Sequence, residues 1–164
     1  MKRLTLVLAL LMGVAFTASA HNAHEAVMEV DLGMSFAGGQ KVSIKYKALN
    51  LGTGSTWTKL KAGEISRPFP IGEMTTSAPI KCGTASVPAG THRLFFLVDK
   101  QGNQSLMIGG TRQKPGPKVA IETTSAPQKL EHLMLTTIQG EGDSDFMMVM
   151  VFGSSMGMVM MDVQ

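Results

Sequence analysis

One cysteine, one tryptophan and one tyrosine stand in 164 residues, and only 16% of the chain is charged. The lone Cys82 excludes an intramolecular disulfide, and no cysteine follows the N-terminal leader to carry a lipid. Stability must then come from buried area, and a chain of this size buries about two-thirds of its unfolded surface. The charged fraction lies well below the roughly 25% of ordinary soluble proteins. Fifteen Lys and Arg oppose twelve Asp and Glu without clustering, which argues against nucleic acid or another polyanion as partner. The longest apolar run, residues 4–16, falls short of the roughly 20 residues that cross a bilayer, so no membrane span is expected. A sustained 3.6-residue period is missing too, which leaves no long helix to place. What the chain has in quantity is Gly, at 18, and Met, at 14.

Lys2 and Arg3, the apolar residues 4–16 and then Ala18-Ser19-Ala20 form the charged, apolar and small-x-small parts of a secretory signal. Residues 1–20 are therefore read as a leader and residues 21–164 as one domain, periplasmic or secreted. With the leader gone the net charge falls to near +1.

After residue 21 the dominant period is two. Met28, Val30 and Leu32 alternate with Glu29 and Asp31, and Val42, Ile44 and Tyr46 alternate with Lys41, Ser43, Lys45 and Lys47. The continuous run Leu94-Phe95-Phe96-Leu97-Val98 suits a strand covered on both faces. Further strands are expected over residues 104–108, 118–122, 130–138, 146–152 and 156–163, separated by Gly-, Asn- and Pro-rich turns. Eight or nine short strands at this spacing predict an all-β fold, an antiparallel β-sandwich. Residues 49–78, rich in Gly, Thr, Ser and Pro, read either as a long functional loop or as two irregular edge strands.

Several motifs fail on context. Gly153-Ser154-Ser155-Met156-Gly157 fits the nucleophile-elbow pattern, but a strand-like alternation follows and no His lies downstream, so a hairpin turn is expected and a hydrolase stays a remote alternative. His24-Glu25-Ala26-Val27-Met28 starts like a zinc-protease helix and has Met where the second imidazole must stand. The acidic residues 140–145 lack the spaced array and terminal Glu of a calcium loop. Gly52-Thr53-Gly54 has no phosphate-loop Lys. Cys82, without a basic cluster nearby, reads as a small buried apolar residue in preference to a redox thiol.

Two constellations remain. Cleavage after Ala20 would make His21 the N-terminus, where its α-amine and imidazole form a nitrogen chelate suited to Cu(II), with His24 three residues on. His92 and His132 are read as half-buried strand residues that could approach it, and Met156, Met158 and Met160 as one face of a strand offering soft thioethers. Methionine is also adaptable core filler, and residues 146–161 are read first as two core strands. The second constellation is Trp57 with Lys59 and Lys61, an aromatic face with cationic arms in a loop-rich segment. The alternative for Trp57 is a plug at one end of the sandwich.

Three stretches carry a family resemblance. Val87-Pro88-Ala89-Gly90-Thr91-His92-Arg93-Leu94-Phe95-Phe96 opens a strand, Asp99-Lys100-Gln101-Gly102-Asn103-Gln104-Ser105-Leu106-Met107-Ile108 forms the next hairpin, and residues 146–163 supply a final strand pair. In these the chain resembles a bacterial exported family catalogued as domain of unknown function 2911. The resemblance implies a β-sandwich and no activity. That family's middle loop carries Trp-Arg, whereas Trp57-Thr58-Lys59 has no adjacent Arg, so no site residue transfers. The function expected from the sequence is an exported, non-catalytic binding or interaction module for a periplasmic or cell-envelope ligand. Its alternatives are a copper-binding protein centred on His21 and, more remotely, a hydrolase or carbohydrate-active enzyme.

Overall fold

A computed structural model describes residues 28–49, 59, 68–111 and 114–164. Every named element in it is a strand, and the strands form two antiparallel sheets. The first sheet runs β1 (Met28–Ser35), β2 (Lys41–Ala48), β3 (Phe69–Thr76), β6 (Gly90–Val98), β7 (Gln104–Ile108), β8 (Lys118–Ala120) in spatial order. The second runs β10 (Met134–Gln139), β11 (Asp145–Phe152), β12 (Ser155–Val163), β4 (Ile80–Cys82), β5 (Ala85–Val87), with β9 (Glu122–Ser125) also paired to β12. The all-β sandwich expected from the period of two is the fold observed.

Strand β2 shows how the pattern works. Val42, Ile44, Tyr46 and Ala48 are buried while Lys41, Lys45 and Lys47 are exposed, because successive side chains of a strand point to opposite faces. The same alternation in β11 sends Phe146, Met148, Met150 and Phe152 inward. These side chains join Ile44, Met74, Leu94, Phe96 and Leu106 from the first sheet in one core. Two aromatic contacts cross it, Phe96 against Phe152 edge-on at 5.4 Å and Phe36 against Phe146 at 5.8 Å. The Leu133 amide also donates to the Leu49 carbonyl at 2.8 Å, tying the segment before β10 to the end of β2.

Of residues 49–78, the described end forms β3, an interior strand between β2 and β6 where the second reading expects an edge strand. The disguise is a bulge: Pro70 and Gly72 pair with consecutive residues Phe95 and Leu94, which leaves Ile71 extra. The inward set therefore shifts from Ile71 to Met74 and Thr76, and the sequence loses its period of two at that point. The next residues form two short strands, β4 and β5, turned at Gly83.

Cys82 lies at the end of β4 and is 2% exposed. Burial pushes its thiol up to about 11, so at neutral pH it is a protonated apolar group and not a nucleophile. Folded protein should therefore fail to react with a disulfide reagent at pH 8, and one thiol should appear on unfolding in urea. Rapid labelling of the native protein would contradict the buried site.

The hairpin from β6 to β7 is organised by Asp99. Its Oδ1 accepts from the Gln101 and Asn103 amides, each at 2.8 Å, and Oδ2 accepts from Asn103 Nδ2 at 2.8 Å. These bonds, the Asn103 side chain first, hold the carboxyl below its ordinary value of 3.8. A folded-state value below the unfolded one stabilises above the ordinary value and is lost as pH falls through it. The protection of the Gln101 and Asn103 amides, taken relative to their intrinsic exchange rate at each pH, should thus fall in acid below that value, whereas Asp99→Ala should show the lower protection at neutral pH already.

Candidate functional site

Trp57, Lys61, His21 and His24 lie outside the described residues, and Lys59 is exposed. His92 is half-buried on β6, where its Nε2 donates to the Pro88 carbonyl at 2.8 Å and its ring lies against Gly109. His132 is exposed just before β10, a correction to the half-buried position expected for it. His92 lies in the first sheet and His132 ahead of the second, and among the described residues no group of three or more His, Cys, Asp or Glu side chains could hold a metal ion. Gly153-Ser154 is the turn joining β11 to β12, with Ser155 already paired to Phe152 and to Ser125 of β9.

The outward faces of the two sheets are chemically opposite. On the first, register sets Glu29 against Lys47, Asp31 against Lys45, and Glu73 against both Lys45 and Arg93. Lys45 approaches Asp31 at 3.6 Å and Arg93 approaches Glu73 at 3.9 Å. An open trough of about 430 Å³ runs over these residues beside Gly72. Its lining holds Lys45, Lys47 and Arg93 against Glu29 and Glu73, one cation in excess, and exposed pairs such as Lys45–Asp31 and Arg93–Glu73 contribute little stability.

The outward face of the second sheet is apolar. Register aligns three rows across β10, β11 and β12: Met134, Val151 and Met156; Thr136, Val149 and Met158; Ile138, Met147 and Met160. Eight of these nine positions are apolar, and five are methionine. Val149 and Val151 are nearly buried between the longer side chains of the flanking strands, while Met134, Ile138 and Met160 are 40%, 50% and 56% exposed. Residues 146–161 thus do not all enter the core: the even positions of β11 and the odd positions of β12 do, and the remainder form this surface. The sequence shows Met156, Met158 and Met160 on one strand face. What it misses is the registration of Met147 and Met134 beside them, legible only by setting the odd residues of β11 against the even residues of β12.

The rim of this face is acidic. Glu122 of β9 pairs with Met158, and the next outward-facing pair beyond Met147 and Met160 sets Asp145 in register with Asp162. Asp162 accepts from Ser144 Oγ at 2.8 Å and from Gln164 Nε2 at 2.9 Å, with Lys81 next to it on β4. The Asp145 carboxyl rests against Gly140 and Gly142, where any Cβ would collide with it. Between the end of the β9 pairing at Met158 and the start of the β4 pairing at Asp162, Met160 has no strand beside it on that side among the described residues.

Compared with protein families, curated proteins and solved structures, the chain matches none.

Proposed function

We propose that the chain is an exported, non-catalytic β-sandwich binding module, and that its binding face is the outward side of β10, β11 and β12. One observation carries this reading: an outward face three strands wide with eight of nine positions apolar, on which Met134, Ile138 and Met160 are well exposed around the buried Val149 and Val151. Contiguous apolar patches mark interaction sites on soluble proteins, because leaving them in water is costly unless binding later removes them. Methionine suits such a surface, being flexible and polarisable enough to follow the shape of what it meets. The trough on the other sheet makes a poorer site, since it is open and two of its three cations are already paired, Lys45 with Asp31 and Arg93 with Glu73.

The test is the binding of an apolar fluorescent dye to native protein, compared with the double variant Ile138→Lys, Met160→Lys. Dye fluorescence should fall several-fold, with unfolding free energy changed by no more than about 0.5 kcal/mol per exposed position. Undiminished dye binding in a folded double variant would refute this face as the site.

A further inference from the structure

We propose that Met147, Met158 and Met160 form a thioether site for a soft monovalent cation, Cu(I) or Ag(I). The inference rests on the binding-module reading and names the ligand class of the same face.

The three side chains make a compact triangle. Met147 and Met160 are directly opposed across the β11–β12 ladder, which sets their Cβ atoms about 5 Å apart. Met158 precedes Met160 by two residues on the same face, about 7 Å along the strand. It is also the diagonal neighbour of Met147, again about 7–8 Å away. Each sulfur sits beyond Cβ on a chain of freely rotating bonds, so three thioethers can converge over one point without moving the backbone. Met147 and Met158 are half-buried and Met160 is exposed beside the gap between β9 and β4, which leaves an approach from solvent. Thioether sulfur is a soft, neutral donor that prefers Cu(I) and its heavier analogue to hard cations.

The rim separates a cation from an apolar protein partner. Glu122 is in register with Met158 and Asp162 lies two residues beyond Met160 on the same face, in register with Lys81, whereas the Asp145 carboxyl turns back onto Gly140 and Gly142. The Glu122 and Asp162 carboxylates beside three neutral sulfurs favour a bound positive charge by plain Coulomb attraction, and a purely apolar partner would have to desolvate them without return.

The experiment is a titration of the full chain with silver nitrate in chloride-free buffer, followed by the ¹³C-labelled methionine methyl signals. One equivalent should shift Met147, Met158 and Met160 while Met134 and the core residue Met148 stay in place. Replacing all three by Leu should weaken Ag(I) binding at least tenfold, and each single Leu variant should weaken it too, which covers a triple variant that folds poorly. Met134→Leu should change nothing. His21 and His24 remain in every variant, so a loss maps to sulfur and not to the N-terminal imidazoles. Equal Ag(I) affinity in the wild type and the Leu variants, or shifts confined to other methionines, would overturn the proposal. Leucine keeps the face apolar, so that result, with dye binding retained, removes the cation and leaves the binding module standing. Loss of the dye response at the Lys variant alone bears only on the module.

Discussion

Phe96→Ala should lower the unfolding free energy by about 3–5 kcal/mol, the range for removing a buried phenylalanine and leaving a cavity. Phe96 is 1% exposed on the interior strand β6 and meets the Phe152 ring edge-on across the seam between the sheets. The substitution removes buried area from both sheets at once, together with an aromatic pair contributing roughly 0.5–1.5 kcal/mol beyond its area. Against a typical total of about 5–15 kcal/mol this is a large share, and the melting temperature should drop by about 10 °C. Urea unfolding reads the effect directly. Phe96→Leu, which keeps most of the volume, should retain the greater part of the stability, and a loss below about 1 kcal/mol in the Ala variant would show that the two sheets do not share this contact.

Gly72→Val should be a second severe change on the first sheet, with a loss of about 3 kcal/mol or failure to fold. A Cβ at this position would meet the Lys45 carbonyl oxygen and the Tyr46 Cα, which are backbone atoms of β2. A flexible side chain can swing aside, but a ladder strand can only part from its neighbour. Gly72 pairs with Tyr46 on one side and Leu94 on the other, so parting there opens the middle of the sheet. Tyr46 adds to the damage: burial raises its phenol above the ordinary value, and a hydrogen bond to the Leu135 backbone opposes that shift by linking β2 to β10. Amide exchange across β2 and β3 should quicken in any Gly72→Val protein that is recovered. Gly33→Val is the control, because nothing lies within 4 Å of a Cβ there.

The bulge at Ile71 also marks the boundary of what the sequence makes legible. Strands β2, β6, β11 and β12 are readable because their alternation or continuous apolar runs persist over eight or nine residues. Strand β3 is not, since one inserted residue reverses which positions face inward, and Pro70 and Gly72 look like loop punctuation. Where eight or nine strands are expected, twelve occur among the described residues, because β3 goes unread, β4 and β5 have three residues each and fall below the length at which a period can be recognised, and the strand expected over residues 118–122 divides into β8 and β9. Ile121 is the buried residue at the point where the chain passes from β8 in the first sheet to β9 in the second, and a sequence reading joins the two sides of that crossing. The candidate site is half legible for a related reason. One strand's face can be read from alternate residues, but a surface three strands wide depends on register, and register is set by the turn at Gly153-Ser154 and by the loop before Asp145.

The pairing of β12 has a consequence for the order in which the fold can form. This strand borders β11 along one side, and on the other it meets β9 through Ser155–Met158 and β4 through Asp162 and Val163. Strands β4 and β9 lie some forty residues apart in sequence and do not touch within the ladder, so neither can find its place in the sheet until β12 arrives between them and β11. As the chain leaves the ribosome, the pairings among β1, β2, β3, β6, β7 and β8 are already possible, whereas the second sheet waits for a strand that follows all the others. Contacts that bridge such separations close slowly. A nascent or truncated chain lacking β12 would therefore present one paired sheet whose apolar side is uncovered, a natural client for a holding chaperone.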